Sequence, residues 1–216
     1  HLKHAPQTTV TFNVRIDGNT AVSPEAYSAT LGTLPIRPGR VTPIGWHTFR
    51  VEMPDAEPFQ KSIFLWYAEN AVGDVDLKWN KGVLDLKIEP QARLVQLTGP
   101  HYSFQLTSSS GTTLSVPVGS YRIRAMFEHL SEQHEVRVGH NETNSFLIKP
   151  DLGTVRVESE PTGAQFRIWS AGRNPVSIEG YAPKVLSGLP AGTYRLRMWH
   201  RDYVKETPFE LRRWET

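Results

Sequence analysis

Arg122 and Arg124 stand two positions apart, as do Arg195 and Arg197, and Trp199 follows the second pair at the same interval. Arg50 takes the matching place in a looser copy of the same phrase: GWHTFRVEM at 45–53, against GSYRIRAMF at 119–127 and GTYRLRMWH at 192–200. Side chains two apart share one face of a β-strand, so these residues would line equivalent outer faces of three strands. Stacked in register, they would form a basic stripe for an acidic glycan or a phosphate-rich polymer. The ordinary role of such arginines is to cover a solvated sheet face with their stems and discourage edge pairing. Trp199 on the arginine side would either stack on the C–H face of a sugar ring or seal a contact between modules. Two further tryptophans, Trp169 and Trp214, read as core residues.

Other constellations point to less chemistry. His129, His134 and His140 fall within twelve residues, and three imidazoles suit zinc or nickel. They straddle a hairpin, however, with His134 opening its return strand and the others at the two ends, so no metal site is expected. Asp74, Asp76 and Asn80 resemble a calcium loop but lack its central glycine and its closing bidentate Glu. Val75, Leu77 and Trp79 alternate with them, which predicts a strand with a solvated carboxylate face. The chain contains no G-x-S-x-G elbow, no H-E-x-x-H pair and no phosphate loop ending in Lys-Ser/Thr. Ser108-Ser109-Ser110-Gly111 reads as a polar turn between strands. Cysteine is absent, which removes disulfides, thiol nucleophiles and thiolate metal sites. The expectation is a chain that is not an enzyme and carries no catalytic, cofactor-binding or metal-ligating residue.

The elements that would position these side chains are strands. Hydrophobic content of 38% and charged content of 21% describe a folded chain, and 16 Gly and 16 Pro favour many turns over long helices. The 24 basic residues are interspersed with 22 acidic ones, which argues against a nucleic-acid partner. No run approaches the length of a membrane-spanning helix. The sequence holds no convincing amphipathic helix; the best short candidate, 24–30, is one or two turns at most. The chain begins at His1 rather than Met, which reads as a processed form or an excised piece of a larger chain.

Gly45, Gly119 and Gly192 recur at intervals of 74 and 73 residues, each just before an alternating strand, where a turn with positive φ suits only glycine. Pro117 and Pro190, two residues earlier, fit the same corner. A second marker keeps the phase: GVLDLKIEP from Gly82 and GTVRVESEP from Gly153, with TVTFNVRIDG (9–18) as the counterpart in the first copy. The expected organisation is all-β: three tandem small immunoglobulin-like β-sandwich modules at 1–80, 81–150 and 151–216. Return strands are expected at 62–67, 134–138 and 206–211. Linkers of two to four residues imply a stiff or curved array, and modules this small would lean on one another.

The third module resembles the PEGA domain family, over nearly all of 153–211. It supplies Gly153, Pro161-Thr162-Gly163-Ala164, Ala182-Pro183, Leu189-Pro190-Ala191-Gly192, the strand 194–198, and Asp202-Tyr203. The second module keeps Pro90-Gln91-Ala92 without the glycine, then Val116-Pro117-Val118-Gly119, as a diverged copy. The first has Ile16-Asp17-Gly18 and Thr42-Pro43-Ile44-Gly45 but a longer Pro-rich middle at 23–43. The resemblance implies a small immunoglobulin-like or carboxypeptidase-regulatory-like sandwich without catalytic residues, at home in bacterial extracytoplasmic proteins, in the periplasm or at the cell surface, and also in the ectodomains of membrane Ser/Thr kinases.

The functional expectation is a non-catalytic interaction or spacer region that binds a protein or a cell-envelope partner. Two alternatives stand beside it. One is a carbohydrate-binding array using Arg50, Arg122, Arg124, Arg195, Arg197 and Trp199 on a cell-envelope polysaccharide. The other is the sensor ectodomain of a membrane Ser/Thr kinase.

Overall fold

Alternation in the sequence becomes alternation in burial. Along 7–16, Val10, Phe12, Val14 and Ile16 are buried while Asn13 and Arg15 face water. The computed structural model describes residues 7–18, 20–67, 69–171 and 175–213. Every regular element among them is a strand. In the first stretch these are β1 (Gln7–Ile16), β2 (Thr20–Ala21), β3 (Ser28–Leu31), β4 (Leu34–Ile36), β5 (Arg40–Pro43), β6 (Gly45–Glu52), β7 (Phe59–Leu65) and β8 (Asn70–Leu77). The second holds β9 (Lys81–Thr98), β10 (Ser103–Pro117), β11 (Gly119–Met126), β12 (Ser131–Val138) and β13 (Thr143–Ile148). The third holds β14 (Leu152–Val157), β15 (Gln165–Trp169), β16 (Ser177–Tyr181), β17 (Lys184–Pro190), β18 (Gly192–His200) and β19 (Tyr203–Leu211).

The fold is all-β, its strands gathered into several small, mainly antiparallel sheets. Among the described residues three hydrophobic cores form: one around Phe12, Phe49 and Leu65, one around Leu86, Tyr121 and Ile123, and one around Phe166, Leu189 and Tyr194. The backbone divides into two compact units. One runs to Gly82 and takes in Pro117–Gly119 and Gly139–Glu142; the other holds the remaining residues from Val83 onward.

The glycine-led strands hold equivalent places. Sheet orders are β4-β3-β6-β7, β10-β9-β11-β12 and β16-β15-β18-β19, so β6, β11 and β18 each lie third, with the return strand at the edge. Gly45, Gly119 and Gly192 have φ of 121°, 147° and 154°, a region that side chains penalise. In the first and third stretches the preceding strand belongs to another sheet: β5 pairs β1, and β17 pairs β14. A Pro-x-Gly step therefore carries the chain between sheets in one intervening residue. Closure uses a pairing with no signature in the sequence: β8 runs parallel to β1, and β13 parallel to β9.

One short helix candidate is not realised, and one expectation requires correction. Residues 24–26 turn and 28–30 already belong to β3, with no helix; Tyr27 packs edge-on to Phe12 at 6.3 Å against the core. Ser108–Gly111 is no turn between strands but an irregularity inside β10, where Ser108 (φ 51°) and Gly111 (φ 152°) depart from extended backbone. The Gln91 amide donates to the Ser108 carbonyl at 2.6 Å and the Gly111 amide to the Ser109 hydroxyl at 3.1 Å, so the kink is satisfied without ending the strand.

Candidate functional site

The five predicted arginines are exposed on their own strands, and three of them meet acids. Arg50 on β6 is paired with Glu52 of the same strand. Arg122 on β11 meets Glu135 of β12 at 3.7 Å, and Arg124 donates to the Ser131 hydroxyl at 3.2 Å. On β18, Arg195 reaches Glu206 of β19 at 2.9 Å. Arg197 is exposed in a cross-strand row Glu179–Arg167–Arg197–Glu206, whose formal charges cancel. Exposed pairs of this kind are worth only about 0–1 kcal/mol each. They leave the outer face of this sheet an alternating ladder rather than a one-sign stripe.

Trp199 occupies the next row, Tyr181–Gln165–Trp199–Val204. Its indole N–H donates to the Gln165 side-chain carbonyl, and the Gln165 amide donates to the Tyr181 hydroxyl at 2.8 Å. Half-buried, it is a positioned ring rather than a mobile one. Trp169 differs from its expected place. It lies on the outer face, half-buried beneath the Arg167 guanidinium at 5.9 Å, because Phe166 and Ile168 take the inward positions of β15. Trp214 lies outside the described residues.

On the inner side of the same sheet a cleft of about 560 Å³ opens. The opposing ribbon β14–β17 has only two strands against four. Phe166 and Ile168 on β15 are buried by this arrangement, while Lys205 and Thr207 on β19 stay exposed. Leu196 and Met198, which point inward on β18, line the floor, with Trp199, Tyr203, Lys205 and Glu160 among the other lining residues. Tyr203 is 76% exposed.

The histidines go to different partners. His134 Nε2 lies 3.0 Å from Glu132 and its ring packs edge-on to Phe146; His140 contacts the Asn141 amide. Among the described residues no three His, Cys, Asp or Glu side chains lie close enough to hold a metal ion. Asp74 and Asp76 sit exposed on β8 while Val75 and Leu77, alternating with them, are buried, as alternation predicts. Asp74 pairs Arg15 at 3.3 Å, and Asp76 accepts the Gly18 amide at 2.6 Å. Burial pushes the Tyr121 and Tyr194 phenols up to about 12; both stand in core positions. The exposed Glu25 carboxyl is held below the usual carboxylate range, chiefly by the Ser23 hydroxyl.

Sequence reasoning missed a second aromatic surface. Trp46 on β6 is paired with Phe64 on β7, and Trp66 follows Phe64 on the same side. Trp46 and Trp66 are 74% and 67% exposed. Their rings meet Phe64 edge-on at 5.3 and 4.6 Å. The signal was present: Trp46 stands two and four positions before Thr48 and Arg50, hence on their face.

No helix among the described residues is long and apolar enough to cross a membrane. No protein-family model matches this chain, and neither does any curated protein. Among solved structures it is similar to the Bacillus anthracis TIE protein, with a TM-score of 0.42 and 12% identity over 97% of this chain and 49% of that one. It is also similar to the immunoglobulin domains 1–5 of Sidekick-1 (TM-score 0.20, 11% identity, 91% of this chain and 54% of that one). A third likeness is to a Ca2+-stabilized adhesin of an Antarctic bacterium (TM-score 0.19, 6% identity, 88% and 65%). The chain spans about half the length of the TIE protein chain it matches.

Proposed function

We propose that this chain is a non-catalytic interaction and spacer region, of PEGA-like type, within a larger bacterial extracytoplasmic protein at the cell surface or in the periplasm. Its contact site is the cleft beside β18 and β19, and its partner is an extended protein segment of the cell envelope. The observation that carries this reading is the cleft itself: a concave site with an apolar floor at Leu196 and Met198, in the volume range of binding pockets. An inserted apolar side chain would be desolvated there, as at the centre of a protein interface. Lys205 and Glu160, which make no ion pair among the described residues, favour a segment carrying both signs of charge beside that anchor.

The test is sedimentation and pull-down of the whole chain with a bacterial envelope fraction, comparing the native sequence with Met198→Glu, which puts a charge on the floor. Circular dichroism would show that the variant folds. Retention of envelope protein by the native chain and its loss in the variant supports the reading. Equal retention by both, or none by either, overturns it.

A further inference from the structure

We infer that the face carrying Trp46, Phe64 and Trp66 is a second binding site, for a neutral polysaccharide chain. It shares no residue with the cleft and does not rest on it.

The cross-strand register defines the surface. Trp46 faces Phe64, Thr48 faces Ser62, and Arg50 lies between Thr30 and Gln60. The aromatic rows therefore continue directly into rows of hydroxyl and amide groups on one sheet face. Thr48, Gln60 and Ser62 are exposed, and among the described residues their side chains make no hydrogen bond with protein groups. The charges on these rows, Arg50 and Glu52, neutralise each other.

That combination selects a ligand class. A sugar ring presents an apolar C–H face and an equatorial belt of hydroxyls. Exposed indoles match the first, and Thr48, Ser62 and Gln60 match the second as neutral donors and acceptors. A face without net charge has no electrostatic preference for an acidic polymer.

The rings are also held in advance. Phe64 wedges between the two indoles. Trp66 lies beyond the end of β7, yet its backbone is clamped by Asn70: the Trp66 amide donates to Asn70 Oδ1 at 3.0 Å, and Asn70 Nδ2 donates to the Trp66 carbonyl at 3.1 Å. Asn70 Nδ2 donates in turn to the Thr8 hydroxyl at 2.7 Å, which ties the clamp to β1. A ring fixed before binding loses little freedom on contact.

The experiment is affinity gel electrophoresis of the whole chain in gels cast with xylan, mixed-linkage β-glucan, amylose or soluble chitin derivative, with alginate as the acidic comparator. The expected result is retardation by at least one neutral polymer that persists at high salt. In the double variant Trp46→Ala/Trp66→Ala the affinity falls by roughly tenfold or more. Met198→Glu, in the cleft, leaves it unchanged. Both indoles face solvent, so the double variant should keep its circular dichroism spectrum and melting temperature; Trp46→Tyr/Trp66→Tyr should retain part of the affinity. Absence of retardation by every neutral polymer overturns the inference. So do full binding by the double alanine variant, or retardation by alginate alone that salt abolishes.

Discussion

The Tyr194 phenol donates a 2.6 Å hydrogen bond to the carbonyl of Pro190, four residues before it. His47, two residues after its own glycine as Tyr194 is after Gly192, meets the Pro43 carbonyl with Nε2 at 3.0 Å; a carbonyl only accepts, so Nε2 carries the proton. In each case a ring on the glycine-led strand latches the carbonyl at the sheet-to-sheet crossover. Tyr194→Phe keeps the ring's packing and removes the bond. It should lower stability by about 1–2 kcal/mol, because the latch is made by a phenol that is only 2% exposed. Urea denaturation of the two chains measures the difference, and an unchanged midpoint would show that the latch contributes nothing.

Alkaline pH should weaken the fold. Tyr121 and Tyr194 are raised from 10.0 to about 12 by burial, so the unfolded chain releases their protons before the folded chain does. The stability they protect is complete below pH 10 and lost as pH rises through about 12. Urea midpoints taken between pH 9 and 12 should fall, and fall less steeply in Tyr121→Phe/Tyr194→Phe. Parallel curves for the two chains would contradict this assignment.

Glycines with positive φ are not equivalent. A methyl built on Gly192 meets no atom within 4 Å, so Gly192→Ala carries only backbone strain, about 1–2 kcal/mol. On Gly111 the same methyl would lie 2.5 Å from the Leu86 carbonyl oxygen, which belongs to the partner strand β9 and cannot rotate aside. Gly111→Ala should cost roughly 3 kcal/mol or more. Thermal melts of the two variants should rank them in that order, and a reversed order would contradict the packing argument.

The ladder of ion pairs should matter little to stability. Arg195 and Glu206 are 63% and 41% exposed, so Arg195→Gln should change stability by no more than about 0.5 kcal/mol. Melting temperatures at low and high salt would check this. A large loss at low salt would mean that the outer face is held by charge after all.

The sequence determined the strand pattern and the glycine-led corners, but not the kink at Ser108–Gly111 inside β10. Alternation places Val75 and Leu77 inside, and the repeated glycines mark the corners, because burial period and positive φ are properties of a few consecutive residues. It also placed Arg195, Arg197 and Trp199 on one face. Tertiary structure decided what that face became: Glu206 and Glu179 arrive from other strands to cancel its charge, and Gln165 arrives to hold the indole. The parallel closure of β1 by β8, the meeting of Trp46 with Phe64, and the cleft left by a two-stranded ribbon over a four-stranded sheet all belong to this second kind. Each depends on register between residues distant in the chain, and a local pattern of alternation is satisfied by many registers at once.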